Sequence, residues 1–97
     1  MTGATQPAWS VRLTQEASDV LTDIRKFDGD KLHDETVRFL RTFALEVGAA
    51  RAKGKKPSGT PLSDGRYTVD VYHEDILIYY LVDDVARQIL VTELVWL

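Results

Sequence analysis

At 97 residues with no cysteine, the chain has the length of one domain and carries no disulfide framework, thiolate metal site or cysteine nucleophile. A formal net charge of −3 counts against a nucleic-acid binder of the usual basic kind, yet Arg51, Lys53, Lys55 and Lys56 stand together with no acid among them. No apolar run approaches the roughly 20 residues of a membrane span. The opening segment MTGATQPAWS has neither a basic nor an apolar signal region, so the expected compartment is the cytoplasm with no membrane partner.

Residues 1–8 are small and polar and read as a flexible tail, leaving 9–97 as a single domain. Trp9, Val11 and Leu13 alternate with Ser10 and Arg12, the period of a strand with one buried face. The Thr14 hydroxyl is placed to cap a helix whose apolar positions are Ala17, Val20, Leu21 and Ile24, and Phe27 is expected to close that helix against the core. Asp28-Gly29-Asp30 reads as a turn, with Asp30 capping a second helix. That helix carries Leu32, Val37, Phe39, Leu40, Phe43, Ala44 and Val47 on its inner stripe; Gly48 weakens its end, with Ala49 to Ala52 available to extend it by a turn. Glycines and prolines crowd residues 54–61 and exclude regular structure there.

Residues 66–97 form three β-rich runs separated by His73-Glu74-Asp75 and Asp83-Asp84. Breaks this short join only antiparallel neighbours, because a parallel return needs a crossover of about a dozen residues or more. The expected architecture is therefore α+β, in the order β-α-α-β-β-β. A four-stranded antiparallel sheet, extended by the first strand, carries the helical hairpin on one face.

Three local patterns carry a resemblance. Trp9-Ser10-Val11-Arg12-Leu13-Thr14 with Glu16-Ala17 resembles the opening strand and helix start of the RelE/ParE superfamily of bacterial type II toxins. Pro61-Leu62-Ser63-Asp64-Gly65-Arg66-Tyr67 resembles that superfamily's entry to its second strand, and the run from Asp75 to Asp84 resembles its hairpin. The resemblance spans nearly the whole chain in element order. It implies the toxin component of a type II toxin–antitoxin system, held by a cognate antitoxin and able to form a homodimer; with no cysteine and no metal-ligand spacing, the chain is expected to fold without metal or cofactor. Its ribonuclease branch implies an mRNA interferase acting on RNA at the ribosome. Its other branch implies a non-enzymatic protein binder, such as a ParE-like topoisomerase inhibitor or a diverged member without nuclease activity. Tyr72 stands where the ribonuclease branch places an arginine.

The candidate residues follow. Arg51, Lys53, Lys55 and Lys56 are positioned as phosphate contacts, since clustered cations release counterions from a nucleic acid. Arg66, Thr68, Asp70 and Tyr72 share the face of their strand opposite Tyr67, Val69 and Val71. With Tyr79 or Tyr80 and His73, that face offers stacking, phosphate contact and a group that titrates near neutral pH, so Arg66, Tyr72 and His73 are the candidate catalytic groups. Neither His73 nor His33 has a partner at metal-ligand spacing. The run 89–97 is apolar except for Thr92 and Glu93. Its end, Val95, Trp96 and Leu97, cannot be buried on one face and is the expected partner-binding surface.

Overall fold

The computed structural model describes residues 8–71 and 74–97. Its elements are β1 (Ser10–Leu13), α1 (Gln15–Asp28), α2 (Asp30–Ala52), β2 (Thr60–Pro61), β3 (Tyr67–Asp70), β4 (Ile76–Asp83) and β5 (Gln88–Trp96). The chain is α+β, but its sheet has five strands in the order β1-β5-β4-β3-β2 and is mixed. Two expectations are corrected here. β1 pairs parallel to β5, with Val11 opposite Ile89 and Leu13 opposite Val91, where an all-antiparallel sheet was expected. The short breaks of the meander constrain β3, β4 and β5 only; β1 reaches β5 through the rest of the fold, so no tight turn dictates its direction. β2 arises inside the segment expected to be irregular: Thr60 and Pro61 pair with Thr68 and Tyr67. Proline is tolerated there because β2 is an edge strand whose missing N–H breaks no ladder.

Thr14 joins the two layers. Its side-chain oxygen accepts from the Ala17 N–H at 3.2 Å, the expected cap, while its hydroxyl donates to the Thr92 carbonyl at 2.9 Å. Its backbone N–H also donates to the Val91 carbonyl at 3.0 Å, so the start of α1 is fixed to β5. Buried Ala17, Leu21 and Ile24 form the inner stripe of α1. Phe27 departs from expectation: it is 69 % exposed, and Lys26 Nζ lies 5.2 Å from its ring centroid. The last turn of α1 carries no buried side chain, so it projects past the core.

Gly29, at φ 94°, is both the end of α1 and the first cap of α2, a role expected of Asp30. Asp30 instead sits in the first turn of α2, where a carboxylate complements the helix dipole, and pairs with Arg25 at 3.3 Å. Buried Leu40, Phe43, Ala44 and Val47 face the sheet. Gly48 is buried because the Trp9 indole lies across it: a Cβ added there would stand 2.5 Å from Trp9 Cγ and 2.8 Å from Nε1. α2 continues past this point to Ala52.

Both helices pack on one side of the sheet, over β1 and β5. The core beneath them is closed by Ile76, Ile78, Tyr80, Ile89, Val91 and Leu94. Among the described residues no helix lies on the opposite side of the sheet, and that asymmetry creates the candidate site.

Candidate functional site

Strand alternation assigns the open face. On β4, Ile76, Ile78 and Tyr80 are buried, while Leu77, Tyr79 and Leu81 point the other way. β5 departs from strict alternation. Ile78 pairs with Leu94 and Tyr79 with Glu93, but Tyr80 pairs with Val91, so Thr92 has no partner across the ladder. This is a β-bulge, one extra residue that bends the strand and re-aims side chains. Without it Glu93 would follow Ile89 and Val91 into the core, where an unpaired carboxylate is expensive. With it, Thr92 and Glu93 both remain at the open face, half-buried between inward Val91 and Leu94.

Arg66 lies over this point. Its guanidinium carbon stands 5.1 Å from the Tyr79 ring centroid, a cation–π contact. Its Nε meets Asp64 Oδ2 at 2.7 Å, and its own backbone N–H donates to Asp64 Oδ1 at 3.0 Å. These bonds, the backbone one foremost, hold the Asp64 carboxyl below the usual carboxylate range. Arg66 Nη1 donates to Thr92 Oγ1 at 3.4 Å and stands 3.9 Å from Glu93 Oε2. The Thr92 hydroxyl in turn donates to the Tyr79 carbonyl at 3.3 Å. An aromatic ring, a hydroxyl and two carboxylates from the turn before β3, from β4 and from β5 are thereby gathered around one guanidinium. Arg12, exposed on the outward side of β1 and level with Leu90, adds a cation to the same face.

The cationic loop is anchored where it joins the sheet. Pro57 is buried, the core tyrosine Tyr80 donates its hydroxyl to the Ser58 carbonyl, and Gly59, at φ 112°, lies against the Thr68 backbone. Burial, with Tyr67 as a second cause, pushes the Tyr80 phenol well above its ordinary value, so it remains a donor. Tyr80 therefore belongs to the core and Tyr79 to the open face. Lys53, Lys55 and Lys56 are exposed along this loop, which runs into edge strand β2.

Arg51 is placed differently from these lysines. It forms a two-pronged pair with Asp84, Nε to Oδ1 at 3.0 Å and Nη2 to Oδ2 at 3.0 Å, and donates to the Lys55 carbonyl at 3.3 Å. The hydrogen bond to Asp84 is the main cause that holds its guanidinium above its already high ordinary value. Arg51 thus ties the end of α2 to the β4–β5 turn. Tyr72 and His73 lie outside the described residues. Val95 is half-buried on the open face opposite Leu77; Trp96, 36 % exposed, is paired with Ile76 at the end of the sheet. The Leu97 side chain is exposed and its N–H donates to the Asp75 carbonyl at 2.8 Å.

Thr92 and Glu93 entered the sequence reading only as interruptions of an apolar run. That interruption was the available signal: two adjacent polar residues inside a core strand are what a bulge accommodates. A second concavity, a groove of about 290 Å³ beside α2, is lined by Glu35, Arg38, Phe39, Thr42, Val71 and Glu74. Burial, then Glu35, and then Asp28 and Asp75 push the Glu74 carboxyl above the usual carboxylate range. Like charges oppose one another there, and no reactive constellation converges on it. Among the described residues no group of three or more His, Cys, Asp or Glu is arranged to hold a metal ion, and no helix is long and apolar enough to cross a membrane.

No protein-family model and no curated protein sequence matches the chain. Among solved structures it is similar to a chain of the intact E. coli RelBE toxin–antitoxin complex, with a TM-score of 0.51 and 15 % sequence identity. The match covers 93 % of this chain and 98 % of the other. At that identity the likeness is one of fold: the two helices and five-stranded mixed sheet of this chain are RelE-like in architecture.

Proposed function

We propose that this chain is the toxin of a type II toxin–antitoxin pair and acts on RNA, as an mRNA interferase, through the open face of its sheet. The observation that carries the reading is the Arg66–Tyr79 pair on a helix-free sheet face, beside an anchored loop bearing Lys53, Lys55 and Lys56. Single-stranded RNA binds such surfaces by stacking bases on aromatic rings while cations follow the backbone. Tyr79 supplies the stacking surface. Arg66 supplies a planar cation that contacts phosphate and stabilises the charge building on it in the transition state. Tyr72 and His73, which fall between β3 and β4 in the sequence, stay in the proposal as candidate catalytic groups. Arg51 contributes by holding the base of the loop through Asp84.

The partner is a cognate antitoxin, a reading supported by the toxin–antitoxin complex to which the fold is similar. Val95, Trp96 and Leu97 are its proposed contact, because Trp96 and Leu97 leave apolar surface exposed at the sheet end.

Fluorescence anisotropy with a labelled single-stranded RNA tests the RNA reading. Stacking is worth about 1–3 kcal/mol per base, so Tyr79→Ala should weaken binding about 5- to 150-fold. Arg66→Gln should weaken it as well. Wild-type affinity in both folded variants removes the open face from the account.

A further inference from the structure

We propose that Glu93 is the proton acceptor of this site, taking the 2′-hydroxyl proton of the RNA as the chain is cut. The proposal rests on the RNA reading above and assigns the base that reading lacks among the described residues. Three observations single out Glu93. First, the bulge at Thr92 keeps its carboxylate at the open face, level with Tyr79, when simple alternation would bury it. Bulges recur next to active sites because they redirect single side chains in this way. Second, Glu93 is the less engaged of the two carboxylates at Arg66. Asp64 accepts two bonds, at 2.7 and 3.0 Å, whereas Glu93 makes one ion contact at 3.9 Å with its side chain 47 % exposed. Its oxygens therefore keep lone pairs for a proton. Third, the spacing suits the chemistry. Arg66 Nη1 stands 3.9 Å from Glu93 Oε2, so a phosphate bound by that guanidinium would bring its adjoining ribose hydroxyl toward the carboxylate.

The step balances without any other reactant. Glu93 takes the 2′-hydroxyl proton, and the 2′-oxygen forms a new bond to phosphorus. The bond from phosphorus to the 5′-oxygen breaks, giving a 2′,3′-cyclic phosphate and a 5′-hydroxyl. The leaving oxygen takes a proton from solvent water, and Glu93 returns its own to solvent. The charged and titratable groups set around Glu93 are Arg66 with its partner Asp64, from the turn before β3, and Tyr79 across the ladder on β4; on the β1 side the outward residue is Arg12, level with Leu90.

The test uses the full chain, wild type against Glu93→Gln and Glu93→Asp, with two readouts. Binding is measured on a fully 2′-O-methylated RNA, which has no nucleophile. Cleavage is measured on mRNA in a translating extract, by mapping new 5′ ends across a pH series. A general base is worth roughly 10²–10⁴-fold. Glu93→Gln should bind the methylated RNA at least as well as wild type, since one carboxylate beside Arg66 has been neutralised. It should cleave at least 100-fold more slowly and lose the fall in rate at acid pH. Glu93→Asp should recover part of the rate. Cleavage by Glu93→Gln at the wild-type rate and with the wild-type pH profile overturns the assignment and leaves the RNA reading standing. Binding without cleavage by the wild-type chain overturns both the interferase reading and the assignment.

Discussion

Substituting Gly48 tests how β1, α2 and the base of the cationic loop are held together. A methyl group there would stand 2.5 Å from Trp9 Cγ and 2.8 Å from Nε1. These atoms lie at and near the root of the indole, so the whole ring has to move. Overpacking of this kind typically costs about 1–3 kcal/mol. Alanine in a helix interior offsets about 1 kcal/mol of that relative to glycine. Gly48→Ala should therefore lower stability by about 1 kcal/mol, or about 4–8 °C in melting temperature for a domain of this size. Trp9→Ala removes the obstacle. In that background the same substitution should raise stability by about 1 kcal/mol, and the reversal of sign is the diagnostic. Urea denaturation of the four proteins of the cycle, at equal m-values, reads both numbers. If Gly48→Ala stabilises the chain with Trp9 present, the described packing of the indole on α2 is wrong.

Four further outcomes follow from the same geometry. Tyr80→Phe keeps the core ring but removes the hydroxyl from the Ser58 carbonyl; it should cost about 1 kcal/mol and speed amide exchange across residues 53–59. Replacing Lys53, Lys55 and Lys56 by glutamine should flatten the log–log salt dependence of RNA binding by about 2, since each contact to a single strand contributes about −0.7; Arg51→Gln alone should leave that slope nearly unchanged, because Asp84 occupies its guanidinium. Glu74 has its folded-state pKa raised, so its contribution to stability is full below the unfolded carboxylate range and is lost as pH rises through the folded pKa; Glu74→Gln should raise the melting temperature at pH 7, with the gap to wild type closing on acidification. Trp96→Ala should weaken association with the product of an adjoining open reading frame in co-purification, while leaving the circular dichroism of the free chain unchanged.

What could be read from the sequence divides along physical lines. Local rules carried well: Thr14 caps α1, the alternation in β3 sets Tyr67 on the core face, and the polar breaks at residues 73–75 and 83–84 join antiparallel neighbours. Long-range pairing did not. Nothing local in Ser10–Leu13 says that its neighbour is β5 or that the pair is parallel, because both depend on where the rest of the chain has gone. Thr60 and Pro61 become a strand only because β3 lies beside them. Phe27 looks like a core residue by spacing, yet the helix outruns the core. The site was half legible. Arg66 could be placed on the polar face, but the choice of Tyr79 over Tyr80 needed the register, and Glu93 needed the bulge. Charge clustering grouped Arg51 with the loop lysines, whereas Asp84, 33 positions away in sequence, determines its partner.

The measurement that bears most directly on the central claim is induction of the chain in a bacterial host, with mRNA 5′ ends mapped before and after. The account predicts growth arrest with new mRNA 5′ ends bearing 5′-hydroxyls, lost on Arg66→Gln and suppressed by co-expression of the antitoxin. Unimpaired growth by a soluble, folded wild-type chain, or arrest with intact mRNA and a DNA-damage response, would contradict it.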